Sequence, residues 1–178
     1  MRQIVKRDWV LLGLVLLAVS QAVVLSFKSD FGRTADSPWF TVGDTLSHLQ
    51  PLDSDGQTAS LAGGTPMLLL VFHSECGHCQ EVAPLWRAWT GTTWGDVRVV
   101  AVSSEEPDVA EAYAAEKDWN SEVWTVASSR LGGPGHTLTS RTPWVFVLDP
   151  AGVILAEGQG ARIAELAAVL GDITRGSP

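Results

Sequence analysis

The longest run of apolar residues lies near the amino terminus of the chain. Residues 9–27, WVLLGLVLLAVSQAVVLSF, contain no charged side chain. At about 1.5 Å of rise per residue, a helix of this length nearly matches a hydrocarbon core of roughly 30 Å. The pattern predicts one transmembrane helix over residues 9–27, followed by a polar linker over residues 28–39.

The charges around this run predict its orientation. Basic side chains precede it at Arg2, Lys6 and Arg7. Short flanks rich in Lys and Arg stay on the cytoplasmic side of a membrane. We therefore expect residues 1–8 to be a cytoplasmic flank and the chain beyond Lys28 to lie outside the cytoplasm, on the periplasmic or external side of the cell membrane.

A cleaved signal peptide is the alternative interpretation of the same segment. Ala18-Val19-Ser20 loosely fits a small-x-small cleavage site. The apolar stretch continues past this point to Leu25, which favours an uncleaved anchor. Both interpretations export the rest of the chain.

Downstream, strand-like and helix-like apolar patterns alternate. Residues 67–72, MLLLVF, are typical of a central strand covered on both faces. Further strands are predicted at 97–102, 123–127, 144–148 and 153–156. Helical stripes occur at Val82, Leu85, Trp86 and Trp89, at Val109, Ala112 and Tyr113, and at Ile163, Leu166, Ala167 and Leu170. This order predicts an α/β domain with a mixed sheet flanked by helices over residues 40–172, with a tail over 173–178.

Turn residues punctuate the pattern in two further places. The segment 41–64 has short apolar pieces around Asp53-Ser54-Asp55-Gly56, which predicts an opening β-hairpin. Residues 128–141 are predicted to form a loop, and no role for that loop follows from its sequence.

Composition limits the possible functions. The chain has 178 residues, room for one domain of ordinary size besides the apolar run. Twelve Lys and Arg residues against 20 Asp and Glu residues leave a net charge of −8, which argues against a nucleic-acid partner. With two cysteines in total, a disulfide-dense scaffold and a four-thiolate zinc site are excluded.

The two cysteines form the motif Cys76-Gly77-His78-Cys79, between the apolar strand and the first helix. A thiol at a helix amino terminus faces unpaired N–H groups and the positive end of the helix dipole, which stabilise its thiolate. Cys76 is therefore the expected nucleophile. Cys79, one turn further on, is placed to attack a mixed disulfide at Cys76 and release the partner.

Two neighbouring side chains are expected to tune this pair. If His78 is protonated, its charge stabilises the Cys76 thiolate and makes the disulfide more oxidising. Glu75 acts in the opposite direction, by raising the pKa of the thiol or by accepting a proton. The sequence leaves the balance between them open. No organic cofactor is expected, because the cysteines themselves carry the electrons.

The strand, the CGHC motif, Pro84 within the following helix and Thr142-Pro143 before the next-to-last strand together resemble the thioredoxin superfamily. CGHC is similar to the active-site tetrapeptide of protein disulfide isomerases. The anchor, the VGDTL stretch and the TPWVFVLDPAGVILAEGQG ending resemble the TlpA-like branch of membrane-tethered thiol-disulfide oxidoreductases. The resemblance implies a thioredoxin-like fold, a cis proline at Pro143, and substrate docking at Thr142 and Pro143 with Gly77.

Two positions depart from the family pattern. Glu75 stands where an aromatic residue usually precedes the first cysteine, and Leu70 stands where thioredoxins place a buried acid. Glu75 is therefore assigned as the acceptor of the Cys79 proton. Glu105 and Glu106 are interpreted as charges at a helix start and nothing more.

Three other functions compete with thiol-disulfide exchange. A copper or zinc metallochaperone could use Cys76, Cys79, His78 and His73 as ligands. The VGDTL region also resembles peroxiredoxins, which suggests a peroxidase, and a purely structural disulfide is the third. Haem attachment is excluded, because Gln80 follows the second cysteine where histidine is required.

The resulting prediction is an extracytoplasmic thiol-disulfide oxidoreductase acting on protein thiols and disulfides. The resemblance implies a membrane electron donor and a reductive role, as in cytochrome c maturation. The histidine of CGHC instead suggests a more oxidising couple. The direction of electron flow therefore stays open.

Overall fold

The apolar run after residue 66 forms the central strand of the domain. In the computed structural model, which describes residues 39–92, 95–127 and 133–176, strand β1 spans Met67–Val71 and all five of its residues are buried. Its side chains alternate between two hydrophobic cores, Leu68 and Leu70 on one face and Leu69 and Val71 on the other. A strand buried on both faces needs the apolar character that the sequence shows.

The described part of the chain contains one five-stranded mixed sheet in the order β3-β2-β1-β4-β5. The remaining strands are β2 (Arg98–Ser103), β3 (Glu122–Thr125), β4 (Trp144–Leu148) and β5 (Ile154–Gln159). Strand β1 runs parallel to β2 and antiparallel to β4, with Val71 opposite both Val102 and Trp144. The mixed sheet with flanking helices confirms the predicted fold class for this domain.

Helices cover one face of the sheet. They are α1 (Gly77–Thr90), α2 (Pro107–Glu116) and α4 (Ile163–Gly176), and a 3₁₀ turn over Gly160–Arg162 precedes α4. Their buried residues join Leu68 and Leu70 in one core. Helix α4 continues to Gly176, so most of the predicted tail 173–178 is helical.

The predicted faces of α1 and α2 are rotated from the observed ones. Leu85 and Val109, predicted to be buried, are 37% and 43% exposed. Alanines lie against the sheet instead, Ala83 on α1 and Ala110 on α2. Small side chains let a helix backbone approach the sheet closely, so the size of an apolar residue was a poor guide to the buried face.

The opening hairpin predicted over 41–64 forms only as a short antiparallel pairing around the predicted turn, without regular strands. In the described chain this segment makes isolated bridges, Leu52 with Thr58 and with Thr125, and Thr45 with Val153. The turn at Asp53 does form, because its carboxylate accepts hydrogen bonds from the N–H groups of Asp55 and Gln57. The segment packs against the second face of the sheet through Leu46, Leu49 and Leu61.

The loop predicted over 128–141 contains a short helix. Helix α3 spans Pro134–Thr139 and buries Leu138 in the second core. Gly135 lies very close to Ala127, just after β3. A Cβ atom at position 135 would be 2.3 Å from the Ala127 carbonyl oxygen. Helix α3 therefore depends on contact with the sheet, which a six-residue pattern does not reveal.

The predicted membrane segment lies outside the described residues. The flank 1–8, the span 9–27 and all of the linker 28–39 except Trp39 are likewise outside the described residues. Among the helices of the described ranges, none is long and apolar enough to cross a bilayer.

Candidate active site

Cys76 lies at the N-cap of α1, where the connection from β1 enters the helix. Its backbone is extended, with φ −79° and ψ 112°, and its Sγ accepts a hydrogen bond from the Cys79 N–H at 3.3 Å. The Cys76 N–H donates to the His73 carbonyl oxygen at 3.0 Å, which closes the connecting turn. The thiol thus occupies the place of a capping side chain and satisfies a backbone N–H that has no partner within the helix.

The surroundings of Cys76 favour its thiolate. Burial by itself would raise the pKa of this half-buried thiol. Hydrogen bonds with the side chains of Cys79 and Thr142, and with the backbone N–H groups of Cys79 and His78, outweigh that effect and lower the pKa below its ordinary value of 9.0. The Cys76 thiol is therefore partly exposed and more acidic than an ordinary cysteine, as the predicted nucleophile should be.

Cys79 has the opposite character. Its side chain is completely buried in the core beneath α1. Burial, followed by hydrogen bonding with Cys76 and by the negative charge of that thiolate, raises the pKa of Cys79 to about 12. The structure therefore contains two free thiols of unequal acidity within one turn of helix.

The loop before β4 lies against Cys76. The Thr142–Pro143 peptide bond is cis, and the Cys76 thiol donates to the Thr142 carbonyl oxygen at 3.5 Å. Pro143 is buried, and its carbonyl oxygen accepts a hydrogen bond from the Gly160 N–H at 3.0 Å. We call residues 141–143 the docking loop, because the resemblance to the thioredoxin superfamily implies that Thr142 and Pro143 bind substrate. The antiparallel pairing of β1 with β4 brings the loop to the thiol.

The fold that carries this site is similar to the folds of solved structures. An uncharacterized thioredoxin-like protein from Porphyromonas gingivalis has a TM-score of 0.55 and 22% identity, covering 78% of this chain and 97% of that one. The chain has a thioredoxin-like fold. No family model and no curated protein sequence matches it.

Two further structures share the thioredoxin-like fold. A peroxiredoxin-like protein from Aquifex aeolicus has a TM-score of 0.59 and 16% identity, covering 76% of this chain and 89% of that one. A thiol:disulfide interchange protein from a Bacteroides species has a TM-score of 0.51 and 18% identity, covering 66% and 81%. At these identities the similarity establishes the fold.

The two side chains predicted to tune the thiols lie at the surface of the thioredoxin-like domain. His78 is largely exposed, and its Nδ1 lies 3.1 Å from Glu81 Oε2. Its backbone N–H, and not its imidazole, is the group that bonds Cys76. Glu75 is exposed, and its N–H donates to His73 Nδ1 at 3.3 Å. The tuning roles of His78 and Glu75 stay predictions.

Gly77, the third predicted substrate-binding residue, is the first residue of α1. It is exposed, and a Cβ atom at this position would meet nothing within 4 Å. The backbone between the two cysteines is therefore open to an approaching chain.

Glu105 is more than the helix-start charge predicted from the sequence. Its carboxylate accepts hydrogen bonds from the Ser74 N–H at 2.8 Å and from the Ser103 hydroxyl at 2.9 Å, and it also bonds the Ser74 hydroxyl. His73 Nδ1 lies 3.4 Å from the same carboxylate. Cys76 lies on the connection between β1 and α1. Glu105 thus attaches this connection to the end of β2.

The charge of Glu105 is stabilised in this position. Burial by itself would raise the pKa of its carboxyl group, but the hydrogen bonds from Ser74 and Ser103 and the nearby His73 lower it below the ordinary value of 4.5. One signal in the sequence could have identified it. Parallel strands β1 and β2 end at the same edge of the sheet, so polar residues after each strand meet there.

Tyr113 lies in the same core as Cys79. Its ring stacks on Phe72 with centroids 5.4 Å apart, and its buried hydroxyl has no hydrogen-bond partner among the described residues. Burial, followed by the negative charges of the Cys79 and Cys76 thiolates, raises the pKa of Tyr113 to about 12. The phenol is therefore neutral beside the thiols.

The ligands considered for a metal site do not converge. Across the described ranges, the structure brings together no group of three or more His, Cys, Asp or Glu side chains suited to a metal ion. His73 contacts Glu105 and His78 contacts Glu81, so the two imidazoles are directed to different carboxylates.

Proposed function

We propose that this protein is a thiol-disulfide oxidoreductase whose substrates are protein thiols and disulfides. The observation that carries the proposal is the unequal pair of thiols: an accessible Cys76 with a lowered pKa and a buried Cys79 with a raised pKa, next to the docking loop. An exchange enzyme needs one thiol that attacks readily and a second that stays protonated until the mixed disulfide forms.

The reductive half-reaction proceeds in two exchanges. The Cys76 thiolate attacks one sulfur of a client disulfide, forms a mixed disulfide and displaces the other client sulfur as a thiolate. Cys79 then loses its proton and attacks Cys76 Sγ, which forms the Cys76–Cys79 disulfide and releases the second client thiolate. The client gains two electrons, the protein loses two, and two protons complete the client thiols. The oxidative direction is the reverse of these steps.

We further propose a TlpA-like role, in which a membrane-anchored domain outside the cytoplasm reduces client disulfides with electrons from a membrane donor. Support for this finer assignment comes from the apolar run 9–27, its basic flank and the motif resemblance. Membrane fractionation of the full chain, with labelling of Cys76 by a membrane-impermeant maleimide in whole cells or spheroplasts, tests the location. Recovery of Cys76 in a form accessible only after lysis would contradict it.

Trapping the mixed disulfide tests the chemistry. In Cys79→Ser, the first exchange occurs but the second cannot, so client proteins accumulate in dithiol-sensitive complexes on non-reducing gels. Cys76→Ser is the matched control and traps nothing, because its buried remaining thiol is a poor nucleophile. If Cys79→Ser captures no client and the Cys76–Cys79 disulfide resists dithiols, the proposal is wrong.

A peroxidase is the second candidate, because an accessible thiolate such as Cys76 also attacks peroxides. A peroxide-consumption assay on the reduced protein separates the two functions. Turnover of peroxide with no client trapping would favour the peroxidase. The redox state of the cysteine pair in intact cells, together with its reduction potential, determines the direction: mostly dithiol indicates a reductant and mostly disulfide an oxidant.

A further inference from the structure

Arg141 is the first residue of the docking loop and lies directly before Thr142, whose carbonyl oxygen contacts the Cys76 thiol. Its guanidinium carbon lies 4.2 Å from the centroid of the Trp39 ring and 5.0 Å from that of the Trp144 ring. Two indoles therefore hold a cation at the edge of the candidate active site. Contacts of this kind restrict the rotamers of a long side chain.

The second indole is itself fixed in place. The Trp144 Nε1–H donates to Glu157 Oε2 at 2.7 Å, and Trp144 begins strand β4. The carboxylate of Glu157 is thus engaged by the indole and forms no ion pair with Arg141. The guanidinium is positioned by a rigid part of the sheet.

The donors of Arg141 are not used within the described protein. Over the ranges that the structure describes, Arg141 has ring contacts but no hydrogen bond from its guanidinium and no carboxylate within 4.0 Å. Arg87, Arg98 and Arg162 differ in this respect, because each of them is paired with an acidic side chain. Arg141 is also only partly buried, so a ligand can approach it.

We propose that Arg141 binds a carboxylate of the client polypeptide and so gives the enzyme a preference for clients with an acidic residue near the reactive cysteine. A planar guanidinium with free N–H groups suits a carboxylate, which it can bind with two parallel hydrogen bonds. Stacking between Trp39 and Trp144 orders the side chain before the client arrives, which lowers the entropic cost of binding.

The distance between Arg141 and the thiol limits where the client acid can lie. Neighbouring Cα atoms are about 3.8 Å apart, and an extended chain advances about 3.3–3.6 Å per residue. Arg141 adjoins the residue that contacts Cys76, so its guanidinium reaches client side chains within about four residues of the attacked cysteine. The proposal rests on the proposed exchange function but not on its direction.

Synthetic peptides test this preference directly. Each peptide carries one cysteine as a mixed disulfide with 2-thiopyridine, an uncharged leaving group, and one Glu, Gln or Lys placed at each position up to four residues away. The second-order rate of thiopyridone release by the reduced full chain is measured. At the best position we expect Glu to react about three- to tenfold faster than Gln, and Lys to react more slowly than Gln.

The variants assign the effect to one side chain. In Arg141→Gln the ratio of Glu to Gln rates falls to about one, whereas Arg141→Lys, which keeps the charge but loses the planar fork, retains part of it. Arg87→Gln, a cation removed at the far end of α1, keeps the full ratio. In the wild type, raising the salt concentration from about 0.05 M to 0.5 M reduces the ratio, because an ion pair at the surface is screened.

Binding is measured separately from exchange. A Glu-containing peptide with Ser in place of its cysteine shifts the indole N–H resonances of Trp39 and Trp144, and its Gln counterpart shifts them less. Equal rates for Glu and Gln peptides at every position, or equal shifts with the Ser peptides, would overturn the proposal. Because the Ser peptides require no chemistry, the shifts report on Arg141 even if the exchange activity is absent.

Discussion

Two glutamates near the thiols show how position in the chain and position in space differ. Glu75 precedes Cys76 in the sequence but is exposed at the surface. Glu105, 31 positions after Ser74, holds the connection that carries the thiol. A carboxylate acts on its surroundings through distance and burial, so the more distant residue in sequence has the larger structural role.

Replacing Glu105 tests that role at the scale of one residue. We expect Glu105→Ala to lower the free energy of unfolding by roughly 1–3 kcal/mol, because three donors lose their acceptor, and Glu105→Gln to lower it less. Both variants are expected to react more slowly at Cys76, because the connection between β1 and α1 is no longer held by the Glu105 hydrogen bonds. Denaturant unfolding and the alkylation rate of Cys76 are the measurements. Glu106→Gln, at the exposed neighbour, is the matched control.

The pH dependence of this effect has a definite sign. The pKa of Glu105 is lower in the folded protein than its ordinary value of 4.5. Its contribution to stability is therefore fully present above 4.5 and is lost as the pH falls through the folded pKa. The stability difference between wild type and Glu105→Gln should shrink on acidification, and a difference that stays constant would show that the charge is not responsible.

At the scale of elements, Gly160 joins three parts of the fold. Its carbonyl oxygen accepts a hydrogen bond from Trp86 Nε1 on α1 at 3.0 Å, and its N–H donates to the Pro143 carbonyl oxygen. A Cβ atom at this glycine would lie 2.7 Å from Trp86 Cζ2 and 2.9 Å from Pro143 Cβ. The start of the 3₁₀ turn after β5 therefore sets the spacing between the helix that carries the cysteines and the docking loop.

We expect Gly160→Ala to lower the free energy of unfolding by about 1–3 kcal/mol, because the buried indole or the proline must move. Displacing Pro143 should also slow thiol exchange with a protein substrate. Gly158→Ala, two residues earlier on β5, is the matched control, since its Cβ would make only ordinary contacts, none shorter than 3.6 Å. Equal stability losses in the two variants would contradict this account of Gly160.

At the scale of the whole molecule, the fold gives two chemically identical side chains different acidities. Cys76 lies at a helix N-cap at the edge of the core, and Cys79 lies inside it. Within one helix turn, hydrogen bonds thus lower the pKa of Cys76, and burial raises the pKa of Cys79 to about 12. The stability of the reduced protein must then depend on pH in a way that the disulfide form does not share.

The two thiols contribute with opposite signs. The lowered pKa of Cys76 stabilises the folded reduced form. This contribution to stability is complete above pH 9.0 and is lost as the pH falls through the folded pKa. The raised pKa of Cys79 also contributes to stability. Its contribution is complete below pH 9.0 and is lost as the pH rises towards about 12. The stability of the reduced form, relative to the disulfide form, should therefore rise towards pH 9.0 and fall above it.

Denaturant unfolding of both forms across this pH range measures the difference. Cys76→Ser forms no Cys76–Cys79 disulfide, so its own pH profile of stability is compared with that of the reduced wild type. It should lack the rise below pH 9.0 and keep a fall above it, because burial still raises the pKa of Cys79. A reduced form whose relative stability does not change between neutral pH and 9.0 would show that the Cys76 thiolate is not favoured by the fold.

Local patterns in the sequence were sufficient to predict the elements that hold the site. The run MLLLVF predicted a strand buried on both faces, and CGHC after it predicted a thiol at a helix N-terminus. Both predictions depend on residues close together in the chain. The α/β order with its mixed sheet followed from the same short-range signals.

The tertiary structure alone decided which distant residues meet. The fastening by Glu105, the close approach at Gly160 and the stacking of Arg141 between two indoles each join segments separated by many positions. Such contacts depend on strand register and helix rotation, because a shift of one residue in either would direct the side chain elsewhere. Helix α3 depended likewise on packing against the sheet, since six residues are too few to form a stable helix by themselves.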